Sequence, residues 1–262
     1  MRIMTVLITG AAGRLGRRLT RALEADHDLV LGDITPLDDP RFRHLDVLDL
    51  AAAREAIQGC DAVAHLAMLD CLSGDMEQIL DYSPGALQVH AVGTHTMLRA
   101  AMEAGVRRFV YSSSVSAVDG IAPGTFVASD CRHFSNGIYG MSKGFGEDIC
   151  RMFQIRFGVS VAVLRLGNVY MPENGGAWMG NVYVEDLEKR PGSGPAPSRV
   201  HVDDVTRCIA LALGATEPAY SLVHVVGADS GDQWDLEAAR RLYGWEPRYS
   251  FSPDGLPHPV EA

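Results

Sequence analysis

The stretch from Thr5 to Gly16, T-V-L-I-T-G-A-A-G-R-L-G, carries the fold of this chain. Apolar and β-branched residues run straight into glycines at 10, 13 and 16. Beyond them, Leu15, Leu19, Ala22 and Leu23 share one side of a helical wheel, with Arg14, Arg17, Arg18 and Arg21 mostly on the other. The pattern predicts a buried parallel strand, a tight turn and the start of a helix. Each glycine has a physical reason in such a turn. Gly10 permits the sharp departure from the strand, Gly13 lets backbone approach a pyrophosphate, and Gly16 lets the helix pack closely on the sheet. Free N–H groups at the helix N-terminus would face the phosphates, which puts Arg14 and Leu15 in the same expected site.

A dinucleotide site makes further demands downstream. Leu29 to Leu31 is a second apolar run, one helix after the first, and it ends at Gly32-Asp33. Asp33 lies 20 residues after Gly13. An acidic side chain there accepts hydrogen bonds from the adenosine ribose and repels a 2′-phosphate, which favours NAD over NADP. A turn aspartate ahead of Thr35-Pro36 is the alternative. Phe42 to Leu45 is a short strand candidate ending at Asp46-Val47. An acid followed by an apolar residue suits the adenine amine and ring edge, and a surface turn explains the pair nearly as well. Ala62 to Ala67 reads as the fourth strand. At its end Leu66, Ala67 and Met68 offer backbone to the pyrophosphate and nicotinamide ribose, while His65 reads as a packed core histidine.

The remaining elements follow from caps and periodicity. Asp49 caps a helix over Leu50 to Ile57, and Gly59 ends it. Cys71 to Ser83 reads as a polar loop with a short helix. Pro84 opens a long helix to Ala104, stopped by Gly105. Phe109 to Tyr111 is a fifth strand running into Ser112-Ser113-Ser114. A helix covers about Tyr139 to Phe157, and Val159 to Leu166 is an alternating sixth strand. Residues 171–199 are rich in Gly and Pro and read as an insertion, either a lid or a surface stretch. Order returns at Val200 to Val202. Asp203 then caps a helix ending near Gly214, Leu222 to Val226 is the last strand, and Leu236 to Tyr243 a short helix. The Pro- and Ser-rich tail has little to order it. This alternation predicts an α/β, doubly wound parallel sheet with a small C-terminal substrate lobe. Residues 1–170 would bind the cofactor, and 171–262 would form a loop-rich substrate and lid region that completes the fold. Ligands of such sheets lie outside the carboxyl ends of the strands, where Gly10, Asp33, Asp46, Ala67 and Ser114 all fall.

Tyr139-Gly140-Met141-Ser142-Lys143 carries the chemistry. Residues i and i+4 share a helix face, so a phenol and an ammonium stand one turn apart. The cation favours the phenolate, which makes the tyrosine a usable general base. Lys143 can also hold a nicotinamide ribose. The chain has eight tyrosines and two lysines, Lys143 and Lys189, so only about 0.06 such pairs are expected by chance. The serines end the fifth strand just before this helix. Alternation puts Ser112 and Ser114 on one side and Ser113 on the other. Ser114 is the first candidate to orient a substrate hydroxyl, and Ser113 the second. No G-x-S-x-G elbow supports a hydrolase.

Composition excludes other classes. With 23 basic and 33 acidic residues the formal charge is −10. No basic run suggests nucleic acid or an anionic membrane surface as partner. The five cysteines form no C-x-x-C pair, so neither a disulfide framework nor a zinc site is expected, and a reducing cytoplasm is the default. Met1 to Ile8 is too short for a signal peptide's apolar region, and no run approaches a membrane span.

Taken together, T-G-A-A-G-R-L-G, Asp33, D-V at 46–47, H-L-A at 65–67, S-S-S at 112–114 and Y-G-M-S-K resemble the extended short-chain dehydrogenase/reductase family, of the NAD-dependent epimerase/dehydratase type. The resemblance covers residues 3 to about 170 and resumes at H-V-D-D-V (201–205) and G-W-E-P (244–247). It implies a Rossmann domain, a bound NAD and a Ser114–Tyr139–Lys143 catalytic set. It also implies a carbohydrate-like small-molecule substrate and a homodimer through the helices at 84–104 and 139–157. Y-G-M-S-K-G-F-G-E, the following R-M-F-x-x-x-F-G and the compact length resemble uronate dehydrogenases most, which oxidise a cyclic hexuronate at C1 to the aldarolactone. Substrate contacts would come from Asp70, Ser113, Ser114 and Asn168.

Two departures stand out. His90 replaces an asparagine that usually supports a water relay behind the lysine, and histidine can still hydrogen-bond. Asp70 replaces a substrate-binding serine and would repel a uronate carboxylate. No basic residue follows the sixth strand in 171–178, so a neutral sugar is a rival substrate. A nucleotide-sugar epimerase, dehydratase or 4-ketoreductase is an alternative, but only about 60 residues follow Arg199 to build its larger lobe. An NAD-binding regulatory protein with an impaired site is the alternative from another class.

Overall fold

The computed structural model describes residues 3–69, 76–172, 198–215, 217–230, 232–252 and 255–260. In chain order the elements are β1 (Thr5–Thr9), α1 (Arg14–Leu23), β2 (Asp28–Asp33), β3 (Phe42–His44), α2 (Leu50–Ile57) and β4 (Ala62–His65). Then come α3 (Met76–Leu87), α4 (Thr94–Ala104), β5 (Arg108–Ser114), α5 (Ile138–Phe157), β6 (Val161–Leu166) and β7 (Asn168–Tyr170). Last are β8 (Arg199–His201), α6 (Val202–Gly214), β9 (Tyr220–Val225), α7 (Glu237–Tyr243), β10 (Tyr249–Phe251) and β11 (Pro257–Pro259). Seven strands pair in the order β3-β2-β1-β4-β5-β6-β9, all parallel. The order reverses between β1 and β4, the switch point where such sheets open a crevice.

Both faces of the sheet are covered, so the strands are apolar throughout. Val6 and Ile8 of β1 pack with Leu15, Leu19 and Leu23 of α1 and with Val205 and Ile209 of α6. Leu7 points the other way, into a core with Ile57 of α2, Met97 and Leu98 of α4 and Phe153 of α5. β6 shows the same division. Ala162, Leu164 and Leu166 face one core, Val161 and Val163 the other. Its alternation is between two cores, not between core and water. The doubly wound parallel sheet expected from the sequence is the observed fold.

Three local expectations are corrected. Pro84 does not open a helix but lies inside α3. Helical geometry then runs through a π-helical stretch, Gln88–Gly93, into α4. A widened turn of this kind shifts the register without breaking the apolar pattern, so periodicity alone reads it as one helix. The three serines end β5, as expected, and the strand is buried at all of its positions. Asp203 does not cap α6. His201 does, its Nδ1 accepting from the Asp203 N–H at 3.2 Å, and Asp203 pairs instead with Arg18 of α1 at 2.7 Å. Finally, the described part of the tail carries strands: β10 and β11 pair antiparallel. The buried Asp204 carboxylate accepts from the Arg248 and Tyr249 N–H groups at 2.9 and 3.1 Å, and the fully buried Trp245 donates to the Asp204 carbonyl at 2.9 Å. Composition could not show that a carboxylate more than forty residues upstream, at a distance typical of long-range contacts, collects these amides.

Candidate active site

The turn after β1 is built as the glycines require. Gly10 has φ of +71°, and a Cβ there would come within 2.9 Å of the Ala67 backbone nitrogen. A Cβ on Gly16 would run into the Gly10 carbonyl. The Gly13 N–H donates to that carbonyl at 3.1 Å. Gly13 is the N-cap of α1 and no side chain caps the helix, which leaves first-turn amides for an anion. The cradle that a Cβ would fill and the uncapped helix end fit a dinucleotide pyrophosphate.

Asp33, at the end of β2, supports this turn directly. Its Oδ2 accepts from the Ala12 N–H at 2.9 Å, and Oδ1 from the Thr35 N–H at 2.8 Å. It is thus a turn aspartate and a neighbour of the glycine turn at once. Each carboxylate oxygen has a second lone pair for a ribose hydroxyl.

Gly10, Gly13, Arg14, Leu15 and Gly16 border a cavity of about 270 Å³, together with Leu66, Met68, Ser112, Ser113, Ser114, Tyr139, Lys143 and Asn168. Residues from six separate strand ends, turns and helices therefore meet at one place only because the strands are parallel and end on the same side. Ser116, Leu166, Gly167 and Val169 also border it. No chemical pattern singles these out, since three of them are apolar or lack a side chain.

Tyr139 and Lys143 lie one turn apart on α5, both buried. The Lys143 ammonium donates to the Ser112 carbonyl at 2.9 Å and stands 5.9 Å from the centre of the Tyr139 ring. The serines divide as alternation requires. The Ser112 hydroxyl donates to the His65 carbonyl at 2.9 Å, and the Ser114 hydroxyl oxygen accepts from the Ser116 N–H at 3.1 Å. Ser113 points its hydroxyl to the other face, where it donates to Glu147 at 2.5 Å. Although Ser113 borders the cavity, its hydroxyl is committed elsewhere, which leaves Ser114 as the better candidate for a substrate.

Beneath the cavity lies a polar chain with a fixed direction. The Leu69 N–H donates to His90 Nε2 at 3.1 Å, so the His90 proton sits on Nδ1 and is given to Ser142 Oγ at 2.8 Å. Ser142 in turn donates to the Tyr139 carbonyl at 2.7 Å. The His90 ring meets the Tyr139 ring edge-on at 5.5 Å. His65 is bracketed by Thr9 at 2.8 Å and Thr94 at 3.2 Å, and Thr94 donates to the His90 carbonyl at 2.6 Å. Burial, reinforced by the charge of Lys143, lowers His65 to about 3 and His90 to about 2. Both rings are neutral, and Lys143 is the cation facing them.

Other expected residues stand apart. Asp46 is exposed, with Oδ1 accepting from the Leu48 N–H at 2.9 Å, and Val47 is buried where it closes on Gly93. Neither borders the cavity, although both follow β3 on the same side of the sheet. Ala67 donates its N–H to Thr9 Oγ1 at 3.2 Å. Asp70 and residues 173–197 lie outside the described residues. Among the described residues no group of three or more potential ligands could hold a metal ion, and no helix is long and apolar enough to cross a membrane.

Comparison with known proteins agrees with this geometry. A uronate dehydrogenase of Pseudomonas syringae pv. tomato is 26% identical over 243 residues, covering 90% of this chain and 79% of that enzyme. The L-arabinose 1-dehydrogenase (NAD(P)(+)) of Haloferax volcanii is 31% identical over 181 residues, covering 62% of this chain and 66% of that one. The crystal structure of uronate dehydrogenase from Agrobacterium tumefaciens superposes with a TM-score of 0.73 at 28% identity, covering 94% of this chain and 85% of that one. A mutant of the same enzyme complexed with NAD gives 0.74. The model of the NAD dependent epimerase/dehydratase family matches residues 6–225, most of the chain and every element that borders the cavity, and the chain belongs to that family.

Proposed function

We propose that this protein is an NAD-dependent oxidoreductase acting on a hydroxyl of a sugar or sugar acid. The observation that carries the proposal is the meeting of the glycine turn, Ser114 and the Tyr139–Lys143 pair around one cavity. Tyr139 removes the hydroxyl proton. Lys143 favours the phenolate by its charge, and its bond to the Ser112 carbonyl keeps the ammonium beside the ring. Ser114 orients the hydroxyl. NAD, when bound, supplies the hydride acceptor. Gly10, Gly13, Arg14, Leu15 and Gly16 would hold its pyrophosphate, and Asp33 its adenosine ribose. Asp46 and Val47 would take the adenine, with Leu66, Ala67, Met68, Ser112, Tyr139 and Lys143 on the nicotinamide side. Asn168, with Asp70 and Ser114, would face the substrate. Residues 1–170 thus serve the cofactor and 171–262 the substrate side.

We further propose a cytoplasmic homodimer. Val92 of the π-helical stretch and Phe145, Met152 and Ile155 of α5 expose large apolar side chains on neighbouring helices, and a second copy would cover them.

The test is direct. Purified protein is titrated with NAD and NADP, and NADH formation is followed with uronates, neutral aldoses and nucleotide sugars. Oxidation of a free sugar or sugar acid, lost in Tyr139→Phe with NAD binding kept, is the expected result. Turnover of nucleotide sugars alone would refute it. Tight NAD binding with no turnover, the same in Tyr139→Phe, would instead identify a regulatory protein.

A further inference from the structure

The Tyr139–Lys143 stripe has a third member. Glu147 stands one turn beyond Lys143 on α5 and is buried. Its carboxylate is fully engaged. Oε1 accepts from Ser113 at 2.5 Å and from Arg165 Nε at 2.9 Å, and Oε2 accepts from Arg165 Nη2 at 2.7 Å. Arg165, on β6, has no exposed surface. Its Nη1 donates to Cys131 Sγ at 3.2 Å and its Nη2 to the Cys131 carbonyl at 3.0 Å.

One ion pair therefore joins β5, α5, β6 and the loop at Cys131. Three of these are walls of the cavity. β5 ends in the serines, α5 carries Tyr139 and Lys143, and β6 continues into Leu166–Val169. A buried ion pair is weak evidence for stability, because a well-packed apolar pair often replaces it without loss. An apolar pair cannot supply directional bonds, however, and here the bonds run from the catalytic helix to the strand that carries Ser114. The bidentate Arg165–Glu147 geometry fixes both distance and angle.

We infer that Glu147 and Arg165 are positioning residues: they hold Tyr139 and Lys143 in register with the serine end of β5. The inference rests on the function proposed above. In the sequence Glu147 stood only as the last letter of Y-G-M-S-K-G-F-G-E, with no role, and Arg165 was not singled out. Glu147 extends the helix stripe by one more i+4 step, a signal that was present, whereas Arg165 is a lone arginine in an apolar strand.

The test uses the full chain carrying Glu147→Leu with Arg165→Met, which removes both charges together. Amide hydrogen exchange at residues 112–116 and 138–143 is measured beside kcat, the KM values and NAD affinity. The glycine turn and Asp33 do not contact the pair, whereas Tyr139 and Lys143 also face the nicotinamide side, so NAD affinity should weaken less than kcat falls. Misplacement of reacting groups by ~1 Å costs on the order of 100-fold, so kcat should fall by roughly 10- to 100-fold, with faster exchange at the β5 end. Unchanged kcat, or unchanged exchange at 112–116, overturns the inference. If the double variant does not fold, Ser113→Ala, which removes only the strand contact, is measured in the same way. If the unaltered protein oxidises no sugar, the proposed function fails on its own account. The exchange measurement then decides the clamp: faster exchange supports it and unchanged exchange overturns it.

Discussion

Three buried histidines should make this protein acid-labile well above the carboxylate range. Burial lowers His65 to about 3, His90 to about 2 and His224 to about 3, from 6.5. Lys143 lowers the first two further; Arg165 lowers His224 further, with Asp235 partly opposing. In each case the folded value lies below the unfolded one, so the unfolded chain binds the proton first as pH falls. The stability held by these neutral rings is therefore complete above about pH 6.5 and is lost progressively toward pH 3. At pH 5 each histidine accounts for about 2 kcal/mol, and the three together for about 6 kcal/mol. A domain's whole stability is roughly 5–15 kcal/mol. The carboxylates with lowered values, Asp39, Glu103 and Asp235, act below about pH 4.5 and do not cloud this window. Urea unfolding between pH 7.5 and 5 measures the effect. The slope should approach three protons taken up on unfolding, and His90→Asn should reduce it by one. Stability at pH 5 within about 1 kcal/mol of its value at pH 7.5 would show that these rings are not held neutral.

Three further outcomes follow from the site and its supports. In Gly16→Ala the new Cβ meets the Gly10 carbonyl and the Ala11 backbone; stability should drop by about 1–3 kcal/mol and NAD affinity by about tenfold or more, read by thermal unfolding and cofactor titration. Asp33→Ala removes the acceptor of the Ala12 N–H; NAD affinity should weaken by roughly 1–2 kcal/mol, and the preference for NAD over NADP should shrink in parallel titrations. Asp204→Asn breaks the pair with Arg207 at 2.8 Å and turns an amide toward backbone donors. A loss of about 3 kcal/mol in urea unfolding is expected, with faster exchange across β10 and β11, and no loss would mean that the hairpin is held by Trp245 packing alone.

How much was legible depended on how local the signal was. The glycine turn, Asp33 and Tyr139–Lys143 were readable because each is a short pattern whose geometry is set by one strand end or one helix turn. The sheet was readable for the same reason, repeated seven times. Long-range polar contacts were not. Asp204 collecting the amides of 248 and 249 leaves no trace in composition, so the tail looked unordered. His201 and not Asp203 caps α6 because the helix begins at Val202, which puts Asp203 inside the first turn, where it pairs with Arg18. The π-helical turn escaped because apolar periodicity tolerates one extra residue.

That turn matters because it carries His90. The family resemblance implies an asparagine there with a water relay behind the lysine. In this chain both nitrogens of the histidine are engaged, Nε2 by the Leu69 N–H and Nδ1 by Ser142. Neither is left to hold a water. The chain of bonds runs from the Leu69 N–H through His90 and Ser142 to the Tyr139 carbonyl. Protonating His90 would require Nε2 to give up Leu69 and would place a second cation near Lys143, which is the direction its lowered pKa opposes. His90 is therefore a strut: it ties the backbone after β4 to α5, the helix that carries Tyr139. Under the function proposed above, the reacting proton would be exchanged on the cavity side of Tyr139, where Ser114 and Lys143 border the same space.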